Sequence, residues 1–573
     1  MDCELNDTLN TIFNSIENNK NFLLEAGAGA GKTYSLVETI KYIKHNYPKR
    51  KILCITYTNN AKNEIISRLN TTNNIYISTI HDFIWEFIKG FQKDLIDNLL
   101  PMIDEEREKI DNDILAAERL IANPRANTNI ENKIIDLERL RIKKQKYSSI
   151  DLSKGIRYLQ YKALYRGVLW HNDVLKMFMK FLENPAFCNL LLDSFSYIFI
   201  DEYQDTNKDI MIHLLNTINS YKNNKYMVFG LFGDSMQQIY NDGIGKINCE
   251  DNNLIQIPKL ENYRSCAEII NLSNHFRSDG LNQEYKNLDA IKDKIMFIYN
   301  NSQDCYLKDY GDINISNYKR LFLNHRQIAE EVGFINIYNT ISSQYKQNTG
   351  EVLKKMDDRY LKYINDYVMT AIYSYNYSDA SIIINNINTP LFTLNDLNNK
   401  KQILDNLIND EDMEINNFVN QLSANSLLDI RVYNNMLNTY TITGDEEFLE
   451  ELKTIKAKEY YNYYLQVNGK TMLETLHGVK GSEYNKIIIN IEKVNAWRDY
   501  NFEKLLKNME LTDSIRERTH KILYVACTRP KYSLIINYIV NDGLNADEAL
   551  SEANLMRDTI KSLFNEQFDF IIY

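Results

Sequence analysis

No stretch of this 573-residue chain approaches the ~20 consecutive apolar residues needed to cross a bilayer, so no membrane span is expected. The opening residues, Met1-Asp2-Cys3-Glu4-Leu5-Asn6-Asp7, lack the basic and apolar character of a secretory signal. Its cysteines (Cys3, Cys54, Cys188, Cys249, Cys266, Cys305 and Cys527) include no Cys-x-x-Cys pair, which argues against zinc and iron–sulfur sites. Reduced thiols in a cytosol, and hence a cytoplasmic location, fit that usage best. A basic excess is missing too: 66 Lys and Arg stand against 77 Asp and Glu, a net charge of −11. That excludes loose, nonspecific coating of nucleic acid. It leaves open a locally basic groove, because phosphate binding needs only a local lining of cations and backbone donors. Repeats and low-complexity linkers are absent, and the length predicts about three or four domains.

Two short segments are the most informative. Residues 26–33, Ala26-Gly27-Ala28-Gly29-Ala30-Gly31-Lys32-Thr33, follow an apolar run (Phe22, Leu23, Leu24) and precede a helical pattern (Leu36, Val37, Ile40, Ile43). In a strand–loop–helix of this kind, small residues let backbone N–H groups and a helix N-terminus cradle polyphosphate. Lys32 pairs with β- and γ-oxygens in that reading, and the Thr33 hydroxyl joins a Mg²⁺ shell. The second segment, Asp201-Glu202-Tyr203-Gln204-Asp205, ends the apolar run Tyr197-Ile198-Phe199-Ile200. Its carboxylates therefore emerge at the C-terminal tip of a strand, where Asp201 holds Mg²⁺ and Glu202 polarises the attacking water. A Gly-rich turn and a surface acidic turn are the bland alternatives. Together, the two segments predict a nucleoside-triphosphate hydrolase.

The rest of the chain predicts an α/β fold of two parallel-sheet cores, each with a mainly helical insertion. Strand runs Phe22–Leu24, Ile52–Thr56, Ile75–Ser78, Tyr197–Ile200 and Tyr226–Gly230 assign residues 1–85 and 185–260 to the first core. Ile103, Ile110, Ile114 and Leu120, then Ile130, Ile134, Leu137 and Ile142, repeat at helical spacing on either side of a break at residues 123–127. This predicts a helical hairpin within an insertion spanning residues 86–184. Residues 261–334 and 466–573 are assigned to the second core, around a helical insertion at residues 335–465. The basic run Arg139, Arg141, Lys143, Lys144 and Lys146 has two readings, a grip on duplex phosphates or a solvated helix face.

Further motifs follow in order. They are Ile55-Thr56-Tyr57-Thr58-Asn59-Asn60-Ala61, Ser78-Thr79-Ile80-His81-Asp82-Phe83, Phe232-Gly233-Asp234-Ser235-Met236-Gln237-Gln238-Ile239-Tyr240, Glu261-Asn262-Tyr263-Arg264-Ser265, Thr475-Leu476-His477-Gly478-Val479-Lys480-Gly481-Ser482-Glu483, and Leu523-Tyr524-Val525-Ala526-Cys527-Thr528-Arg529. With the two segments above, they resemble the motifs of superfamily 1 helicases of the UvrD/Rep type over nearly the whole chain. The resemblance implies RecA-like cores, ATP and Mg²⁺ as cofactors, and 3′-to-5′ movement on single-stranded or tailed DNA. It implies that Gln237 senses the γ-phosphate or places the water, and that Arg264 and Arg529 act as arginine fingers from the second core. Tyr263 stacks on adenine and Glu483 contacts the ribose. Tyr57, Thr58, Asn59, His81, Tyr240 and His477 take the family's DNA-contact positions; a buried structural role competes for His81 and Tyr240.

Three departures stand out. The family's upstream adenine-reading Gln is missing from residues 1–50, where Asn10 is a substitute. Asp242 stands where the family uses an aromatic ring on DNA. Pro530 follows Arg529 where Ala is usual. The compact chain, with little room for a nuclease domain, also resembles the helicase-like subunit of Gabija-type antiphage systems, which implies an OLD-type ATPase-nuclease partner. Repair remains the alternative setting. The alternative activity is a DNA-end-sensing ATPase that signals without unwinding.

Overall fold

Short apolar runs of the first of two units, Met1–Leu288, form six parallel strands. They are β1 (Phe22–Ala26), β2 (Ile52–Thr56), β3 (Ile75–Thr79), β4 (Tyr197–Asp201), β5 (Val228–Gly233) and β6 (Ile255–Lys259), in the order β3-β2-β4-β5-β1-β6. This computed structural model describes residues 5–69, 72–124, 130–159, 161–222, 225–240, 242–287, 295–301, 314–376, 394–425, 427–428, 430–443, 446–493, 499–540, 545–564 and 569–572.

Alternate residues of each strand face opposite sides of the sheet. Phe22, Leu24, Cys54, Tyr197, Phe199 and Phe232 pack with Ile12, Ile16, Leu36 and Ile40, from the helices Leu5–Glu17 and Lys32–Asn46. Leu23, Leu53, Ile55, Ile198, Ile200 and Leu231 pack on the other side with Phe83, Phe178 and Ile210. Burial on both faces is why these strands read as continuous apolar runs. Truncating Leu24, wholly buried, to Ala costs about 2–5 kcal/mol. Because all six strands are parallel, Ala26, Asp201 and Gly233 finish on one edge of the sheet.

The expected hairpin is two helices, Gln92–Ala122 and Ile130–Ser148, with Leu99, Ile103, Ile110, Leu137 and Tyr147 buried. Three of the five cations in the basic run pair with the facing helix. Arg141 meets Glu118 at 3.0 Å, Lys143 meets Glu106 at 2.7 Å and Lys144 meets Asp111 at 2.7 Å. Such exposed pairs favour the solvated-face reading of the run over a phosphate grip.

Two boundaries differ from the sequence reading. Strand β5 starts at Val228 rather than Tyr226. Residues 261–288, expected with the second core, belong to the first unit. The reason is local: Glu261–Asn262 pairs with Glu284–Tyr285 in a two-stranded ladder, and the side chains of Asn262 on it and Gln283 beside it hydrogen-bond the phosphate loop.

The second unit, Asp289–Tyr573, holds another six-stranded parallel sheet. Its strands are β7 (Ile295–Asn300), β8 (Lys319–Phe322), β9 (Leu473–Thr475), β10 (Tyr484–Glu492), β11 (Pro530–Ile539) and β12 (Asp569–Ile572), in the order β9-β8-β10-β11-β7-β12. Between β8 and β9 the described residues are helical, around a core that includes Tyr360, Ile364, Tyr460 and Tyr463. Three buried asparagines cross the sheet. Asn300 donates to Asn537 Oδ1 (3.3 Å), Asn537 donates to Asn490 Oδ1 (2.8 Å), and Asn490 donates to the Leu321 carbonyl (3.3 Å). A one-residue register slip would leave these amides buried and unpaired, so the ladder specifies the strand alignment. Among the described residues no helix is long and apolar enough to cross a membrane.

Candidate nucleotide site and nucleic-acid surface

Strand β1 ends at Ala26, and the loop from Gly27 to Gly31 turns directly into the helix that begins at Lys32. Gly29 (φ +76°) and Gly31 (φ +80°) are both left-handed, a conformation glycine adopts without strain. A side chain on Gly29 would also stand 2.6 Å from Asn262 Oδ1. Gly31 caps the helix without a side chain, which leaves the first helical N–H groups clear for anionic oxygen. Lys32 is buried; its Nζ donates to the Ala26 carbonyl at 3.4 Å and lies 3.9 Å from Glu202 Oε1. Thr33 is half-buried in the same first turn.

Asp201 and Glu202 reach this loop from β4. Asp201 is 4 % exposed, and its Oδ1 is buried with no hydrogen-bond partner. Burial, and secondarily the Glu202 charge, pushes its carboxyl up to about 7, with Lys32 acting in the opposite direction. A bare buried carboxylate oxygen costs free energy, and a divalent cation removes that cost. The donor set of Asp201 and the Thr33 hydroxyl is all oxygen, the chemistry Mg²⁺ selects. Glu202 sits at φ +49°, a strained angle that aims its carboxylate toward Lys32. Its second oxygen accepts from Gln204 Nε2 at 2.6 Å.

Gln204 carries the connection onward, because its Oε1 accepts from the Asp234 N–H at 3.1 Å. Asp234 accepts from Gln237 Nε2 at 2.9 Å and from Arg277 at 3.1 Å. Glu25 takes the Tyr203 hydroxyl and the Ser235 N–H, each at 2.6 Å. Burial, then the Asp234 charge, raises the Glu25 carboxyl. Gln237 is thus tied to Glu202 through buried hydrogen bonds. Sequence reasoning missed Glu25 and Arg277. An acidic residue inside an apolar strand is a usable signal for Glu25; Arg277 carried none.

Tyr263 and Arg264 also stand at the phosphate loop, on the first unit. The Tyr263 N–H donates to the Gly29 carbonyl at 3.0 Å, and Arg264 Cβ lies 2.8 Å from the place a Gly29 side chain would occupy. Within the second unit, Arg529 is 2 % exposed, donating through Nε to the Val525 carbonyl (2.9 Å) and through a terminal nitrogen to Thr528 Oγ1 (3.1 Å). Glu483 is close in that unit, since the neighbouring Tyr484 N–H donates to the Arg529 carbonyl at 3.1 Å. Glu483 itself meets Lys531 at 3.4 Å. Asn10 is exposed on the first helix.

The residues expected on DNA divide by environment. The Tyr57 and Tyr240 rings stack at 6.2 Å and 22°, with Tyr57 46 % exposed. Thr58 spends its hydroxyl as a helix cap, accepting from the Ala61 N–H at 3.2 Å, and Asn59 is exposed. Tyr57, His81 and Asp242 line one cleft of about 90 Å³. The His81 ring meets His171 edge-on at 5.1 Å, and burial, then His171, lowers its pKa. His477 hydrogen-bonds Tyr500 at 2.9 Å; burial first, then His325 and Lys480, takes its pKa down to about 4. It is a neutral ring at ordinary pH.

Residues 5–242 match the family described as the UvrD/REP helicase N-terminal domain. That match makes the first part of the chain similar to UvrD/Rep helicases. The match takes in Lys32, Asp201, Glu202, Gln237 and Tyr240, while Arg264 and Arg529 lie beyond it. Among its relatives, the Gabija protein GajB of Bacillus cereus (strain HuB5-5) is 25% identical over 98% of each chain. The GajB of Bacillus cereus (strain VD045) is 24% identical, over 96% of this chain and 99% of that one. The ATP-dependent DNA helicase Rep of Buchnera aphidicola subsp. Schizaphis graminum is 26% identical. Similarity to this Rep covers 54% of this chain and 53% of the relative.

Proposed function

We propose that this protein is an ATP-dependent, 3′-to-5′ single-stranded DNA translocase or helicase serving antiphage defence. The observation that carries the reading is the convergence of Lys32, Asp201 and Glu202 on a bare helix N-terminus, with one Asp201 oxygen left unpaired. Lys32 and the loop N–H groups hold the β- and γ-phosphates, and Gln237 reports the γ-phosphate to Asp234 and Gln204. Thr33 and Asp201 are the residues that hold Mg²⁺, which when bound neutralises charge on the phosphate oxygens. Glu202 orients and deprotonates the attacking water. Arg264 places positive charge beside the loop, and Tyr263 stacks on the base.

Tyr57 and Tyr240 offer exposed ring surface to bases, a sequence-tolerant contact that suits movement along a single strand. Asn59 and His81 complete that surface, with Thr58 shaping it as a cap. The defence setting, and an OLD-type ATPase-nuclease partner, rest on likeness to GajB proteins along nearly the whole chain. Asp242 in the Tyr57–His81 cleft favours a second reading, a DNA-end-sensing ATPase that signals without processive unwinding. Strand separation on 3′-tailed and 5′-tailed duplexes, run beside DNA-stimulated ATP turnover, decides between them. Unwinding from 3′ tails alone is expected. Turnover without separation would select the sensor, and unwinding from 5′ tails alone would reverse the polarity.

A further inference from the structure

The carbonyl of Ala28, in the middle of the phosphate loop, receives two side-chain amides. Asn262 Nδ2 donates to it at 2.8 Å and Gln283 Nε2 at 2.9 Å. Both side chains are buried, Asn262 at 2 % and Gln283 at 4 % exposure. Only an amide NH₂ can donate to a carbonyl, so the chemistry fixes how each side chain is turned. Gln283 is itself held. Its N–H donates to Asn274 Oδ1 (2.9 Å), and its carbonyl accepts from Asn274 Nδ2 (3.0 Å). The fit is close, since a Cβ on Gly27 would come within 2.2 Å of the Gln283 side chain.

A trans peptide points its C=O and the following N–H in opposite directions. Two donors pinning the Ala28 carbonyl therefore pin the Gly29 N–H on the far side of the loop. We propose that Gln283, with Asn262, forms an amide clamp that aims the Gly29 N–H at the phosphates of a bound nucleotide. Gln283 is thus a positioning residue for nucleotide binding, acting through the backbone. This rests on the reading of residues 26–33 as a triphosphate site. The clamp also explains why residues 261–288 belong with the first unit: they set the geometry of its loop.

The clamp makes its contribution in the ground state as well as the transition state, so its loss raises KM more than it lowers kcat. The test uses the full chain and saturating single-stranded DNA, with steady-state ATP hydrolysis and direct binding of a fluorescent ATP analogue. Gln283→Met keeps the volume and removes the donor, and should raise KM and the analogue's Kd about 5- to 10-fold, with kcat changed less than about 2-fold. Gln283→Asn, one methylene short of Ala28, should behave alike, which separates reach from polarity. Gln283→Glu sets a carboxylate against a carbonyl and near the triphosphate, and should lose more than about 10-fold. The nucleotide-free melting temperature of Gln283→Met should stay within about 2 °C of the parent. Unchanged KM in both neutral variants, or a lowered melting temperature with unchanged KM, would overturn the clamp. Absence of nucleotide binding by the parent protein would instead overturn the triphosphate site, and the clamp with it.

Discussion

The Lys32 ammonium faces the Glu202 carboxylate across the phosphate loop, 3.9 Å away, each reaching that point from the end of a different parallel strand. The proposed cation for the phosphates and the proposed base for the water are thus held in one place, at a distance too long for a tight ion pair. Neither side chain is neutralised by a short bond to the other, so in the proposed reading a γ-phosphate arriving between them meets both.

Removing either side of that relationship should have distinguishable effects. Lys32→Ala should weaken ATP binding and reduce turnover by about 10²-fold or more, since a charge on the transferring group loses its partner. Glu202→Gln should keep nucleotide affinity and slow hydrolysis by about 10²–10⁴-fold. Phosphate release and analogue binding measured on the same samples separate the two. Unimpaired turnover in Glu202→Gln would take the base role away from this residue.

The unpaired Asp201 oxygen makes a second expectation concrete. Chelation should stop hydrolysis and added Mg²⁺ should restore it. Asp201→Asn should raise the Mg²⁺ concentration for half-maximal turnover at least about 10-fold. A magnesium titration of parent and variant checks this; superimposable curves would remove Asp201 from the metal.

Tyr57 and Tyr240 present a stacked, half-exposed aromatic pair. Tyr57→Ala should weaken binding of a labelled single strand by about 1–3 kcal/mol without altering ATP-analogue affinity in the absence of DNA. Fluorescence anisotropy on both ligands is the measurement. A parallel loss in both would mean that Tyr57 supports the fold of the loop rather than a base.

His477 gives a prediction about pH. Its folded pKa is depressed from 6.5 to about 4, so between those values the unfolded chain binds a proton that the folded one does not. Stability from this group is fully present above pH 6.5 and falls as pH drops toward 4, by about 3 kcal/mol at most. Denaturant unfolding at several pH values should show that slope, flattened in His477→Gln. An unchanged slope in the variant would assign the effect to other groups. Because the ring is neutral, its contribution to DNA binding should add nothing to the salt dependence above pH 5.

The glycine-rich loop, the acidic strand tip, most of the first sheet and half of the second were legible because they are local. Two-sided burial writes a continuous apolar run, and a cradle of backbone amides writes small residues before Lys32. The strands β6, β7, β8 and β12 carried weaker local signals and were not anticipated. Pattern assigned residues 261–288 to the second core, whereas they belong to the first unit. Their place is set by contacts between Ala28 and Asn262, and between Ala28 and Gln283, more than 230 positions apart in the chain.

Sequence alone determined the glycine-rich loop that ends in Lys32 and the acidic pair Asp201-Glu202 at a strand tip, since the covalent order of a few adjacent residues suffices for each. Tertiary structure decided which side chains hold them in position. Glu25, Arg277 and Gln283 make hydrogen bonds to partners distant in the chain, and hydrogen bonds of that range leave no periodic trace in a sequence. It also decided the charge state of His477, which depends on what surrounds the ring rather than on its sequence neighbours alone.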